Sequence, residues 1–597
     1  MEKKPIPITL PITTIHGRFQ DIARVFPSYP ALRYGERVLS YSMLDRLSGY
    51  LAVNLIERSV PGPGNVAVMM ENCPEQVIAI LAILKAGKAY LPLDTGFPAE
   101  RNRFMLQDAG CRFLITNSQN FDLASALSDD IEVILADGDF EGYSDNPELP
   151  DINPDDHAII LYTSGSTGEP KGVIQTHANM VHFIKRLSDL ATISPADRFA
   201  YYLSFGFSAH ALPLLGALLN GCELKMFNVK QDNFLGFSEW FKREKITTTL
   251  MLPSFLRHFL ASLTRKQSFP DLRVLFLGGE TLYRSDVDKA RQVFDHSTLL
   301  VNILASTEAY LSRAFVMKYD TPIGSNVVPV GYAVEDLDVL VLDDSGNPCK
   351  ANSPGEIYLK SRYLTPGYWK RPEQTVKDIT KDENEPGILI LRTYDKGYFL
   401  ENDCLVHTGR MDSMVKLRGY RIDLAEVENT LMVNEEVKEA LCKVEENRQG
   451  VSHILAYVVY SGKGELDKDF LRAKAARILP DYMVPSYIIV MDTLPKNASG
   501  KSDRAALPKP DWDILEGKGE KVNPRNETEK KLQEIFENAL KIQPIGVTDN
   551  FLKLGTDSLR LFVAFNDVER KFSRKLNIDL ILMNPNIESL AKYLQEE

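Results

Sequence analysis

From residue 40 to about residue 410, short apolar runs alternate with segments of helical apolar spacing, and this restricts the fold more than any other feature. Val66-Ala67-Val68-Met69-Met70 reads as a buried strand. Glu75 to Ala86 follows it, with apolar residues at 77, 78, 80, 81 and 84, the spacing of one helix face. Ala158-Ile159-Ile160-Leu161-Tyr162 and Val274-Leu275-Phe276-Leu277 read as further strands. Strands separated by helices predict α/β layering with largely parallel sheets. No repeat of solenoid length runs through the chain.

At 597 residues, three or four structural units are expected. A boundary is expected at Asp412, after a large α/β domain at 1–411. Helix-like 424–431, strand-like 454–459 and helix-like 470–478 then suit a small, mobile α+β domain at 412–506. Residues 507–525 turn polar and hold Pro508, Pro510, Gly517, Gly519 and Pro524, a linker composition. Leu532, Ile535, Phe536, Ala539 and Leu540 then mark one helix face, with Asn526 and Glu529 placed to cap its start. Residues 526–597 are expected to form an all-α, four-helix bundle.

Six cysteines without a CxxC or a His/Cys cluster argue against a disulfide framework or zinc site and fit a reducing, cytoplasmic setting. Met1 to Thr14 holds no apolar core or small-residue cleavage site, so no signal peptide is expected. The apolar run 77–84 is far short of the roughly 20 residues of a membrane helix, and no membrane partner is expected. A net charge of -12 argues against nucleic-acid binding.

The sharpest local signal is YTSGSTGEPKG at 162–172, directly after a strand. Glycines let backbone N–H groups approach an anion, and hydroxyls and a lysine add donors. It is not a Walker loop, because Lys171 precedes the last glycine. On composition alone it equally fits a flexible surface turn. With this loop, six further strings stand in one order: LKAGKAYLPLD at 84–94, GGE at 278–280, GEI at 355–357 with PGYW at 366–369, GRMDSMVKLRGYRI at 409–422, LPDYMVP at 479–485 and NASGKSDR at 497–504. Together they resemble the adenylate-forming superfamily, and over nearly the whole chain the adenylation domains of nonribosomal peptide synthetases.

The resemblance implies an enzyme that joins a carboxylate to the α-phosphate of ATP and expels pyrophosphate. Charge builds on phosphate oxygens in such a reaction, so fixed cations and Mg²⁺ should carry it. By resemblance, Thr163, Ser164, Gly165, Ser166, Thr167, Gly168 and Lys171 cradle the leaving phosphates. Thr307 contacts the α-phosphate, and Glu308 is the metal ligand. Asp395 holds the ribose, and Arg410 also reaches the nucleotide. Lys501 matches the mobile lysine that bridges carboxylate and phosphate; read alone, it is a solvated lysine. Asp412 is the hinge. Two strings depart from the family pattern. NILASTE at 302–308 has Leu304 where the family packs a tyrosine on adenine, and TYD at 393–395 has Tyr394 where the family has glycine.

SFGFSAH at 204–210 departs most. Where relatives that take α-amino acids carry an aspartate for the ammonium, Ser208 stands. A buried ammonium without a counter-ion is expensive. An apolar carboxylic acid lacking the α-ammonium is therefore expected: fatty, branched, aryl or keto. The pocket is expected to comprise Ser208, Ala209, Leu212, Met251, Leu275, Leu277, Ile303, Leu311 and Ser312. A shift of register by a residue or two, or a role as ordinary core, is the competing reading.

DNFLKLGTDSL at 549–559 resembles the phosphopantetheine attachment signature, with Ser558 carrying the 4'-phosphopantetheine. Read alone, Asp557 and Ser558 equally fit a helix N-cap. A thiol on such an arm would take the acyl group from the adenylate, and tethering raises its effective concentration. A phosphopantetheinyl transferase is implied, and downstream synthase, condensation or tailoring enzymes are expected in trans. An acyl-CoA ligase and a non-catalytic nucleotide-binding relative are the alternatives.

Overall fold

In a computed structural model, the chain divides into two compact units, residues 1–232 with 237–423, and residues 233–236 with 424–597. The structure describes residues 4–9, 13–60, 62–138, 149–164, 170–229, 234–263, 267–411, 414–417, 419–434, 436–447, 451–462, 466–496, 503–504, 506–515, 522–540, 542–549, 551, 558–572, 574, 576 and 586–595.

Two large sheets organise the first unit. One has six strands: Glu132–Leu135, Phe113–Thr116, Asn65–Met69, Ala89–Leu93, His157–Thr163 and Lys171–Thr176, in that spatial order. Its first five strands run parallel, and the last two form an antiparallel pair. The other has nine strands, with a parallel centre that includes Thr248–Met251, Val274–Gly278 and Leu299–Ser306. The helix Pro74–Lys85 is buried at every residue, which is why its sequence is apolar nearly all round. The layering thus follows the predicted strand–helix alternation. A third sheet of five strands, spanning 338–410, is antiparallel throughout, which the alternation did not predict.

The first unit extends to Asp423, beyond the boundary expected at Asp412. The antiparallel pair Met414–Leu417 and Tyr420–Asp423 belongs to it. Ser164 explains part of that: its hydroxyl donates to the Arg421 carbonyl at 2.6 Å and accepts from the Asp423 amide at 3.0 Å.

The second unit holds the three-stranded sheet Val437–Glu446, Ser452–Tyr460 and Tyr487–Met491 with helices Leu424–Met432 and Lys468–Ala475, the expected α+β pattern. Toward the C-terminus, the described residues hold helices Glu527–Leu540, Ser558–Phe572 and Ile587–Gln595 around Leu532, Phe536, Phe551, Phe565 and Leu590. Asn526 Oδ1 accepts the Glu529 amide at 2.8 Å, and the Glu529 carboxylate accepts the Arg525 amide at 2.6 Å, a reciprocal cap shifted by one residue. Among the described residues, no helix is long and apolar enough to cross a membrane.

Candidate active site

Lys171, Glu308, Asp378, Asp395, Arg410 and Arg421 line one cavity in the first unit, together with Ser164, Ser306, Tyr368 and Tyr394. The strands bring them there. The Gly-rich stretch joins His157–Thr163 to Lys171–Thr176, which pairs Thr163 across from Lys171. Glu308 sits in the tight connection between Leu299–Ser306 and Tyr310–Met317. Asp395 and Arg410 are register partners on adjacent strands.

Glu308 is almost wholly buried, and Arg421 Nη1 donates to both of its carboxylate oxygens, at 2.9 and 2.7 Å. Burial pushes this carboxyl up; Arg421 and Lys171 outweigh it and hold it down at about 2. Asp395 accepts from Arg410 Nη1 at 2.9 Å, and His407 Nε2 lies 3.3 Å away. Burial opposes its ionisation, but His407, Arg410 and Lys416 hold it well below the usual carboxylate range. Burial pulls the Lys171 ammonium down to about 8. Its Nζ stands 3.9 Å over the Tyr368 ring and 3.9 Å from Asp378 Oδ2. Tyr394, at φ +60°, occupies backbone space that favours glycine. Its hydroxyl donates to Asp378 Oδ1 at 2.8 Å and its ring lies under the Arg392 guanidinium.

Among the described residues, Thr163 Oγ1, Ser306 Oγ and Arg421 Nε are buried without a hydrogen-bond partner. Buried polar atoms are ordinarily paired. Here they cluster with cations and two deeply ionised carboxylates, a setting matched to a ligand carrying both phosphates and hydroxyls.

Of the residues singled out in the sequence, Ser164, Lys171, Glu308, Asp395 and Arg410 line this cavity, Thr163 is the strand partner of Lys171, and Thr307 Oγ1 donates to Ser208 Oγ at 3.2 Å. Gly165, Ser166, Thr167, Gly168, Asp412 and Lys501 lie outside the described residues, and Ser558 is described only as the first residue of its helix. Arg421, Tyr368, Asp378 and Lys416 were missed as site residues. Arg421 and Lys416 stand inside a quoted string whose alternating cations were the available signal; Asp378 gave none.

The residues expected to line the acid pocket fall in two cores. Leu212, Ile303 and Leu311 share one core with Leu250 and Phe276, and Ala209 packs against it. Met251, Leu275 and Leu277 belong to a different core. Successive strand residues point to opposite faces, so the expected set spans both sides of the sheet. Gly278 shares the Phe276 face; a Cβ there would stand 2.6 Å from Ile303 Cγ1. Ser312 is buried, with its hydroxyl on the Tyr310 carbonyl at 3.2 Å. Leu304 is buried in the third sheet's core.

Comparison with family profiles matches residues 19–369 to AMP-binding enzyme, 426–501 to AMP-binding enzyme C-terminal domain and 530–594 to phosphopantetheine attachment site. Gramicidin S synthase 2 of Brevibacillus brevis is 32% identical over 588 residues, 98% of this chain and 13% of that protein. Tyrocidine synthase 1 of Brevibacillus parabrevis is 30% identical over 589 residues, 98% of this chain and 53% of that protein. The chain thus spans about half, or much less, of these curated relatives. In fold it is similar to holo-PA1221, an NRPS protein containing adenylation and PCP domains, with TM-score 0.77, 24% identity, and 98% and 96% of the two chains covered. It is also similar to an artificially fused adenylation–PCP di-domain from Klebsiella oxytoca, with TM-score 0.70, 23% identity, and 80% and 93% covered.

Proposed function

We propose that this chain, which belongs to the AMP-binding enzyme family and carries a phosphopantetheine attachment domain, activates a carboxylic acid with ATP and loads it onto Ser558. The observation that carries the reading is the cavity itself. Lys171, Arg410 and Arg421 face it as cations, Asp395 is held ionised, and unpaired donors await a partner. In the first half-reaction a substrate carboxylate oxygen bonds to the α-phosphorus and pyrophosphate leaves. Lys171, a pocket ammonium pulled down by burial, regains its full charge when phosphate oxygens replace lost water. Asp395 offers two acceptor oxygens for ribose hydroxyls. Thr307 reaches the α-phosphate and Lys501 bridges acid and phosphate.

Glu308 would hold a magnesium ion brought in with the nucleotide, since a buried ionised carboxylate suits a hard cation. Among the described residues no group of three or more His, Cys, Asp or Glu could hold a metal. The ion would supply charge neutralisation on the phosphates, with Arg421, paired to Glu308, as the neighbouring cation. A phosphopantetheine arm on Ser558 would supply the thiol that receives the acyl group.

The domains are read as a large adenylation domain at 1–411, a small mobile one at 412–506 turning at Asp412, a linker at 507–525 and a four-helix carrier at 526–597, with the strand pair Met414–Leu417 and Tyr420–Asp423 grouped with the first unit. The acid is apolar and lacks an α-ammonium, because Ser208 supplies no anion and Leu212, Ile303 and Leu311, expected beside it, are buried apolar side chains. A phosphopantetheinyl transferase and enzymes acting in trans are the partners, in the cytoplasm.

The test is the intact mass of transferase-modified protein given ATP, Mg²⁺ and a pool of amino, fatty, aryl and keto acids. An acyl adduct that disappears in Ser558→Ala supports the reading. The same adduct on Ser558→Ala, or none on modified protein, overturns self-loading.

A further inference from the structure

Glu308 and Asp395 each accept from an arginine, but Asp378, the last residue of the helix Pro372–Asp378 and only 3% exposed, is held by neutral donors. Tyr394 donates to its Oδ1 at 2.8 Å. Gln374 Nε2 at 2.6 Å and the Tyr368 hydroxyl at 3.2 Å donate to its Oδ2. Burial and the nearby carboxylates push both tyrosine hydroxyls up, so both stay protonated and donate. Neutral donors fix a carboxylate in place and leave its net charge standing. That charge faces Lys171, whose Nζ lies 3.9 Å from Oδ2, beyond a hydrogen bond.

The backbone is bent to make this arrangement. Glu356 pairs with Lys396 and Tyr358 with Arg392, so Thr393, Tyr394 and Asp395 together face Ile357, a bulge that re-aims its side chains. Within it Tyr394 takes φ +60°, a strained conformation for a tyrosine that persists only where the surroundings over-determine it. The Arg392 guanidinium lies 4.6 Å over the Tyr394 ring and is itself fixed on the Glu356 carboxylate at 2.8 and 3.0 Å. A glycine at 394 would relieve the strain and leave Asp378 Oδ1 without this donor. What the strained residue accomplishes is the placing of one hydroxyl on Asp378.

Pyrophosphate is the group on which this charge acts. As the acid's carboxylate oxygen bonds to the α-phosphorus, the bond from that phosphorus to its bridging oxygen breaks, and the electron pair leaves with the bridging oxygen. Free pyrophosphate therefore carries one more negative charge than the same two phosphates carry within ATP. A fixed carboxylate beside the lysine that holds these oxygens opposes the departing group more than the bound nucleotide. It also gives the Lys171 ammonium a partner once the phosphates have gone. We propose, resting on the adenylation reading, that Asp378 sets how readily pyrophosphate leaves Lys171, and that Tyr394 is the positioning residue that holds this carboxylate off the ammonium.

The experiment is calorimetric binding of pyrophosphate, ATP and AMP, each with Mg²⁺, to the full-length chain with no acid present, so that no turnover intervenes. Asp378→Asn keeps the side chain's shape and removes its charge. It should lower the Kd of pyrophosphate about tenfold, the scale of one screened charge several ångströms away. It should lower the Kd of ATP less, and leave unchanged that of AMP, which lacks the two leaving phosphates. Tyr394→Phe frees the carboxylate to close on Lys171 and should raise the pyrophosphate Kd. That rise should vanish when Asp378→Asn is also present, because Tyr394 acts through Asp378. Pyrophosphate binding that is unchanged or weaker in Asp378→Asn overturns the inference and leaves the adenylation reading intact, as does an equal gain for AMP. A Tyr394→Phe effect that survives in the double variant removes Tyr394 from the device. Binding of neither ATP nor AMP by the wild-type chain counts against adenylation and takes this inference with it.

Discussion

Glu308 has so little water around it that its charge persists only because a cation is fixed on it. Removing one partner of a buried ion pair typically costs about 3–5 kcal/mol, because the other charge is left uncompensated. Arg421→Ala should therefore lower unfolding stability by about that amount, read as a fall in the urea midpoint. Adding Glu308→Gln should recover part of the loss, since a neutral amide needs no counter-cation; additive losses would show that the pair is not coupled. The pair also has a pH signature. Held at about 2 in the fold and near 4.3 when unfolded, Glu308 contributes stability above about pH 4.3 and loses it as pH falls through 2. In Arg421→Ala the folded carboxyl loses its main cation and moves up toward the unfolded value, so this loss on acidification should shrink. That Lys171, Glu308, Asp395 and Arg410 belong to one cavity was legible because each is a charged residue inside a short local string. The ion pair was not, because Arg421 meets Glu308 across 113 residues of sequence.

For a strand, function depends on parity. Leu277 pairs with Asn302 and Gly278 with Ile303, so Phe276, Gly278 and Ile303 share one side of the sheet while Leu277 faces the other. A one-residue shift exchanges the whole set, so membership of an acid pocket turns on parity even where the strands themselves are found. Apolar character marks both faces of a doubly covered sheet, so composition gives no clue to which side meets the substrate. Phe276→Leu should change the ratio of kcat/KM between a long and a short acid. Leu277→Met, of similar volume, should cost less than about 1.5 kcal/mol and leave the ratio alone. A shifted ratio in Leu277→Met with none in Phe276→Leu would favour the register expected from the sequence. The antiparallel third sheet went unread for a related reason: inward-facing pairs such as Val339 with Val341 and Ile357 with Leu359 give a strand's period but not the direction of its neighbour.

Across the molecule, acid sensitivity should come in two steps, and the histidines set the first. Burial holds His16, His182 and His210 down at about 4 and His177 at about 3, all within residues 1–423. Unfolded, each would titrate near 6.5, so between about pH 6.5 and 4 the unfolded chain binds protons that the fold excludes. These groups leave stability whole above pH 6.5 and remove it as pH falls toward 4, before the Glu308 step begins in earnest. At pH 5 each histidine accounts for about 2 kcal/mol in this scheme. His177 is the informative one, because its Nδ1 accepts the Ile15 amide at 3.3 Å and so ties down the helix Ile15–Val25. Protonation would set two donors against each other there. His177→Gln keeps an acceptor and cannot titrate, so its stability should fall less steeply between pH 7 and 5 than the wild type's. Amide hydrogen exchange in Ile15–Val25 should accelerate on acidification in the wild type and less so in the variant. Equal slopes in the two proteins would remove His177 from the acid response and leave the sequence's histidines as passive core, a distinction that their positions in the chain alone did not allow.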